Sequence, residues 1–191
     1  MPSKQSFDPQ VLSTSIMSVV DETFKTMCNL SFTSEPKFGE SEIIEYESRM
    51  RVFGLEKFNG PCYVTVINFF LDDKKLQQED PCGTMVVYFE EDCASKILKA
   101  LGYQIFNEDD EETVMDNCGE FCNVIAGNFK NELVNLGYKE LVINAPLKYR
   151  NDIPEGVIFP YDETTVYEVS FDLWKQKALV VGVTMEYVPQ K

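Results

Sequence analysis

Histidine is absent from this 191-residue sequence. Because histidine is the commonest general base and the commonest metal ligand, any chemistry must rest on carboxylates, amides, cysteines or the groups of a partner. Basic residues are scarce, with 17 lysines and arginines against 32 aspartates and glutamates and a net charge of -15. Such a surface repels nucleic acid and anionic membranes and favours a partner that presents lysine or arginine, although acidity also serves solubility alone.

Signals for other compartments are missing as well. No apolar run approaches the length that spans a bilayer, and the N-terminus shows no signal peptide, so we expect no membrane insertion. The six cysteines mostly lie in apolar stretches, which, with no signal peptide, predicts reduced and buried thiols in a cytoplasmic protein. None of them forms a C-x-x-C pair, so we expect no metal site. Cys118 and Cys122 stand four residues apart, but they fall on an apolar stripe and are interpreted as core residues rather than a redox or metal pair.

The apolar pattern predicts one domain over residues 1–191, with residues 1–9 flexible. Helices are expected near 10–30, 91–101 and 111–136, and strands near 42–52, 62–71, 83–89, 138–144, 165–173 and 178–188. The polar stretch 72–83 is interpreted as a loop that joins two strands of a hairpin. Helices interspersed with hairpin-connected strands predict an α+β fold, with two long helices packed on a mostly antiparallel sheet.

The second long helix carries the most informative pattern. At about 100° per residue, its apolar side chains gather on one face. This core stripe consists of Val114, Cys118, Phe121, Cys122, Ile125, Phe129, Leu133 and Leu136. Asp116, Glu120 and Asn123 form a row on the opposite face, because residues three and four apart are neighbours on a helix. Taken alone, this row indicates no more than the solvated face of an amphipathic helix.

Small residues allow a second interpretation of the polar row. Gly127 lies on the same face, with Gly119 and Ala126 near its edges. A glycine inside a helix costs about 1 kcal/mol relative to alanine, so its presence there calls for another reason. A low ridge of carboxylate and amide groups bounded by small residues suits docking into the pocket of another protein.

The same segment resembles the phosphatase motif of the CheC/CheX family of bacterial chemotaxis proteins. That motif is Asp, three residues, Glu, two residues, Asn, 22 residues and Pro, and it is matched by Asp116, Glu120, Asn123 and Pro146. The strand GTMVVYF, a short helix and an acidic run at 107–112 precede the motif. The acidic run is interpreted as a solvated linker with favourable charge at a helix start, or alternatively as a device that steers the partner.

The resemblance implies a CheC/CheX-like fold and an activity. Proteins of this family dephosphorylate the aspartyl phosphate of CheY-type response regulators. By resemblance, Asn123 orients the attacking water and Glu120 pairs with the active-site lysine of the regulator, while Asp116 and Pro146 play supporting roles. The chain needs no cofactor of its own, because Mg²⁺ is expected on the partner receiver domain.

The first helix departs from the pattern of CheC-type proteins, which carry a motif on each long helix. The third residue after Glu22 is Lys25 rather than asparagine. We therefore expect one site per chain and, as in CheX-type proteins, a homodimer. Two alternatives remain open: a catalytically silent adaptor that docks a receiver domain or a flagellar-switch component through the same face, and a purely structural dimer.

Overall fold

A computed structural model describes residues 6–105 and 110–191. The helices in these ranges are α1 (Pro9–Cys28), α2 (Leu55–Phe58), α3 (Asp73–Gln77), α4 (Glu91–Ala100) and α5 (Glu111–Asn135). The strands are β1 (Lys37–Glu42), β2 (Glu45–Tyr46), β3 (Arg49–Phe53), β4 (Cys62–Phe70), β5 (Gly83–Glu90), β6 (Val142–Ile143), β7 (Leu147–Arg150), β8 (Asp152–Val157), β9 (Thr165–Leu173) and β10 (Gln176–Met185). None of the described helices combines the length and apolarity that crossing a bilayer requires.

Aspartate caps begin both long helices. Asp8 accepts a hydrogen bond from a backbone N–H of α1 at 2.8 Å. Asp110 accepts from the hydroxyl of Thr113 at 2.7 Å and from its backbone N–H at 3.2 Å, and these bonds lower the pKa of the Asp110 carboxyl. The first part of the acidic run, 107–109, lies outside the described residues, so its predicted role as a linker rests on sequence alone.

The segment that we expect to be flexible, 1–9, is described from residue 6 onward. In this described part, Phe7 is buried and its ring lies 4.8 Å from that of Tyr138. The backbone N–H of Phe7 donates to the carbonyl of Met185 at 3.3 Å. Residues 6–9 are therefore held against the end of β10 and against Tyr138, which follows α5.

One large sheet forms the centre of the molecule. Its strand order is β1-β9-β10-β5-β4-β6, with β7 also paired to β4, and all of these pairings are antiparallel. The predicted hairpin is present, because β4 and β5 pair from Cys62 opposite Glu90 to Phe69 opposite Gly83. The predicted class, an α+β fold with two long helices on a mostly antiparallel sheet, is confirmed.

Helices α1, α4 and α5 cover one face of this sheet. Phe121 of α5 is fully buried, and its ring lies edge-on to Phe24 of α1 at 5.6 Å and to Phe89 of β5 at 5.7 Å. The Asn128 side-chain amide also donates to the Thr23 hydroxyl of α1 at 3.2 Å. The core stripe of α5 is buried as predicted except at its end, where Leu136 is 49% exposed because it lies beyond the last helical turn.

A second, three-stranded sheet packs on the other face. Its order is β2-β3-β8, and Met50, Val52 and Ile153 bury apolar surface against β4 and β5. The expectation of one strand near 42–52 was therefore wrong, since residues 37–53 hold three strands. The β2–β3 turn is Glu47-Ser48, both at positive φ, and this pair lacks the Asn-Gly signal of such turns.

Three other local expectations need correction. The stretch 72–83 contains α3, whose start is capped by Asp72, which accepts from the Lys75 N–H at 2.9 Å. The strand expected over 138–144 shrinks to the two residues of β6, which pair with the end of β4. Strands β7 and β8 were not expected, because both are short and depend on pairing with β4 and β3.

Replacing Phe121 with alanine tests whether α5 is held by this aromatic contact. We expect Phe121→Ala to lower the free energy of unfolding by about 3–5 kcal/mol, because the truncation leaves a cavity between α1, α5 and β5. The matched control on the same helix is Leu136→Ala, whose half-exposed side chain predicts a change within about 0.5 kcal/mol. Urea unfolding followed by circular dichroism measures both, and equal losses would contradict the assignment of the core.

Candidate functional site

The polar row of α5 lies on the surface of the protein. Asp116, Glu120 and Asn123 are exposed, whereas Phe121 and Cys122 between them are fully buried. Within the described ranges, the side chains of Glu120 and Asn123 make no hydrogen bond or ion pair. A carboxylate and an amide thus stand on a helix that is fixed by its buried face, with their polar atoms available to another molecule.

Asp116 has a different environment from the other two. Its carboxylate forms an ion pair with the ammonium of Lys148 on β7. Pro146 lies just before β7 and approaches the same turn of α5, with its Cγ 3.6 Å from where a Cβ on Gly119 would stand. The structure therefore brings Asp116 and Pro146 together around one helical turn, on the side next to Glu120.

The 22-residue spacing between Asn123 and Pro146 has a geometric reason. The chain continues along α5 to Asn135, about 18 Å at 1.5 Å per residue, and then returns along the sheet through β6. This return brings Pro146 back to the level of Gly119. The last element of the motif is distant from the first three in sequence but adjacent to them in space.

The two glycines of α5 have different surroundings. Gly119 is buried beneath β7, where an added Cβ would lie 2.9 Å from Cδ and 3.1 Å from Cγ of Lys148. Gly127 is half-buried, and an added Cβ would meet nothing within 4 Å. Only Gly127 leaves open space for a second molecule, while Gly119 admits a neighbour within the same chain. Ala126, expected at the edge of the ridge, is fully buried.

Two neighbouring segments influence the site. Burial and then the negative charge of Glu120 raise the pKa of the Tyr103 hydroxyl, in the segment after α4. The start of β7 lies against Gly119, next to Glu120 in the helix.

The corresponding positions on α1 carry a different pair. Lys25, which replaces the expected asparagine, forms an ion pair with Asp21 at 2.6 Å, one turn earlier on the same helix. Glu22 is exposed. The Lys25 ammonium is thus engaged within α1 and supplies no amide beside Glu22.

The cysteines lie away from this surface. All six are free thiols, five of them buried and Cys28 half-buried. Burial raises the pKa of Cys122 to about 12 and that of Cys118 well above its usual value. Among the described residues, no cluster of three or more cysteine, aspartate or glutamate side chains is arranged to hold a metal ion.

Sequence reasoning missed the basic residues that surround the motif. Lys148 and Arg150 are two residues apart in β7, so their side chains lie on the same face of the strand, the one toward the helices. The Arg150 guanidinium forms ion pairs with Glu91 of α4 and with Glu111 of α5, the latter at 3.3 Å. The sequence does show two basic residues at a spacing of two after Pro146. Because no strand was predicted there, this spacing could not be assigned to one face.

Comparison with known protein families agrees with the motif. The family model of the chemotaxis phosphatase CheX matches residues 78–153, a range that includes all four motif positions. The predicted resemblance to CheC/CheX proteins is thereby confirmed. No curated protein matches the chain in sequence.

Solved structures share the fold at low sequence identity. A CheX from Desulfovibrio desulfuricans is 17% identical with a TM-score of 0.61, and the match covers 93% of this chain and 99% of that one. The CheX–CheY–BeF3–Mg²⁺ complex from Borrelia burgdorferi gives 15% identity and a TM-score of 0.51, over 92% and 95%. A FliM middle domain from Vibrio alginolyticus gives 11% and 0.56, over 93% and 92%. The chain therefore has the CheC/CheX-like fold, which FliM shares.

The thiol environments generate a prediction about reactivity. In the native protein at pH 8, iodoacetamide should modify Cys28 alone, because the thiolate is the reactive form and a pKa of about 12 leaves roughly one Cys122 in 10⁴ ionised. Intact-mass spectrometry should show one adduct in the native protein and six after denaturation. Rapid native modification of Cys118 or Cys122 would contradict their assignment to the core and restore the redox-pair alternative.

Proposed function

We propose that this protein accelerates hydrolysis of the aspartyl phosphate of a CheY-type response regulator. The observation that carries the proposal is the pair Glu120 and Asn123, exposed and without partners in the described structure, on a helix rigidly packed through Phe121. Their spacing matches the family motif, and the CheX family model spans them. The Borrelia burgdorferi CheX, which shares the fold, forms a complex with CheY, BeF3 and Mg²⁺.

The proposed division of labour follows from the chemistry of the two side chains. The amide of Asn123 both donates and accepts hydrogen bonds, so it can hold a water in line for attack on phosphorus. The carboxylate of Glu120 accepts only, so it suits the active-site lysine of the regulator. Phosphoryl transfer also needs charge neutralisation, which the Mg²⁺ of the receiver would supply. This mechanism requires neither histidine nor a resident metal.

The overall charge supports the choice of partner. A net charge of -15 disfavours nucleic acid and speeds encounter with a surface that presents lysine, most strongly at low ionic strength. Electrostatic steering of this kind raises the association rate more than the affinity. The homodimer that the resemblance implies stays a prediction.

A silent adaptor is the second candidate function. Its support is the FliM middle domain, because the shared fold means that the fold alone does not specify a phosphatase. Such an adaptor would dock a receiver domain or a flagellar-switch component through the same ridge of α5. It would need no water-positioning amide at Asn123, so the two functions differ in what that side chain does.

Asn123→Ala separates the two functions. If Asn123 positions water, the stimulated rate of phosphate release should fall about a hundredfold while binding of the receiver is retained. The matched control is Asn131→Ala, an exposed asparagine on the same helix two turns beyond the site, which should keep the wild-type rate. Phosphate release from a phosphorylated CheY-type receiver in Mg²⁺ measures the rate, and fluorescence titration measures binding.

The outcomes of this experiment are decisive for the proposal. Binding by the wild-type protein without faster phosphate loss, and identical behaviour of Asn123→Ala, would favour the adaptor. Unchanged decay for every phosphorylated receiver tried, without binding, would argue against both functions.

Glu120→Gln tests docking separately from water positioning. Loss of the carboxylate should raise KM for the phosphorylated receiver about tenfold, because the lysine of the partner loses its ionic acceptor. The same change at the corresponding position of α1, Glu22→Gln, is the control and should leave KM unchanged if each chain has one site. A higher KM in both variants would instead indicate a second docking face on α1.

A further inference from the structure

Strand β7 contacts α5 at the turn that carries Glu120. The ammonium of Lys148 pairs with the carboxylate of Asp116, one turn before Glu120. The Asp116 side chain is 56% exposed and that of Lys148 36%, so the pair lies at the rim of the candidate site. An exposed ion pair of this kind adds little to the stability of a fold.

The stem of Lys148 lies across the helix backbone. Its Cδ and Cγ stand 2.9 Å and 3.1 Å from the position that a Cβ of residue 119 would occupy, closer than ordinary van der Waals contact. Only glycine permits this approach without moving Lys148, although glycine is a poor helix former. The close crossing at Gly119 lies directly beside Glu120.

Lys148 belongs to a longer contact between β7 and α5. Arg150, two residues later on the same side of β7, pairs with Glu111 at the first turn of α5 and stacks 4.4 Å over the ring of Tyr63. Strand β7 and helix α5 therefore run in opposite directions at this contact. Lys148 pairs with Asp116, whereas Arg150, later in β7, pairs with Glu111, which is earlier in α5. Since β7 is hydrogen-bonded to β4, these contacts fix the first half of α5 relative to a fully buried strand of the sheet.

We propose that Lys148 is a positioning residue, which sets the place of Glu120 and Asn123 relative to the sheet by pairing with Asp116 and lying across Gly119. The inference rests on the proposed phosphatase function and deepens it. Lys148 stands outside the four-residue motif, yet it pairs with Asp116 and, like Pro146, lies against Gly119, the residue before Glu120. Catalysis by positioning is sensitive to displacements of about 1 Å, so an ion pair of little value to stability can matter for rate.

Substitution of Lys148 tests this role. In Lys148→Met, kcat for the phosphorylated receiver should fall about tenfold while the melting temperature changes little. Lys148→Arg retains a cation that reaches Asp116 and should recover at least half of the wild-type kcat. The control is Lys130→Met, which removes another ion pair of α5, with Glu140 at 3.8 Å, away from Glu120 and should leave kcat unchanged.

Gly119→Ala perturbs the same contact from the other side. The added methyl group displaces Lys148 but improves helix propensity, so kcat should fall several-fold with no loss of thermal stability. A merely structural role would lower stability and rate together.

The results distinguish the failure of this inference from that of the proposed function. A wild-type protein that accelerates phosphate loss, with Lys148→Met and Gly119→Ala equally active, would overturn the positioning role alone. A fall in kcat that tracks a fall in melting temperature would also overturn it. A wild-type protein without any acceleration would refute the phosphatase, and the positioning role would be rejected with it.

Discussion

The burial of one face of α5 is the constraint on which the rest of the site depends. Phe121 lies between α1 and the sheet, edge-on to the rings of Phe24 and Phe89. With 3.6 residues per turn, burying Phe121 forces its neighbours Glu120 and Asn123 to face away from the core. Rotating the helix to hide these polar groups would expose the aromatic ring, at a cost of about 1.5–3 kcal/mol for that side chain alone. The orientation of the ridge is thus set by the core beneath it.

The second constraint is the double burial of the central hairpin. Every residue of β4 is buried, because α5 covers one face and the sheet β2-β3-β8 covers the other. A strand buried on both faces has little freedom to shift, so it is a firm reference for whatever pairs with it. Strand β7 pairs with β4 and carries Lys148 and Arg150 to the helix. In this way the buried strand β4 fixes the position of the polar, exposed face of α5.

The sequence predicted the elements that their own residues indicate, and it missed the elements that depend on residues distant in the chain. The long helices were predictable because their helical periodicity extends over ten or more residues. The strands of the β4–β5 and β9–β10 hairpins were predictable because each is a run rich in apolar, β-branched and aromatic residues. The short strands β2, β3, β7 and β8 were not, because each is stabilised by a partner strand rather than by its own pattern. The turn at Glu47-Ser48 adopts positive φ in both residues without glycine or asparagine, so its chemistry gave no warning.

The same distinction between local and long-range information applies to the candidate site. The sequence by itself determined the row of Asp116, Glu120 and Asn123 and the stripe behind it, because helical geometry relates residues three and four apart without reference to the rest of the chain. Only the tertiary structure decided that Lys148 would lie across Gly119 and pair with Asp116. That contact joins residues far apart in the chain and depends on how β6 and β7 return along β4, so no local pattern could reveal it.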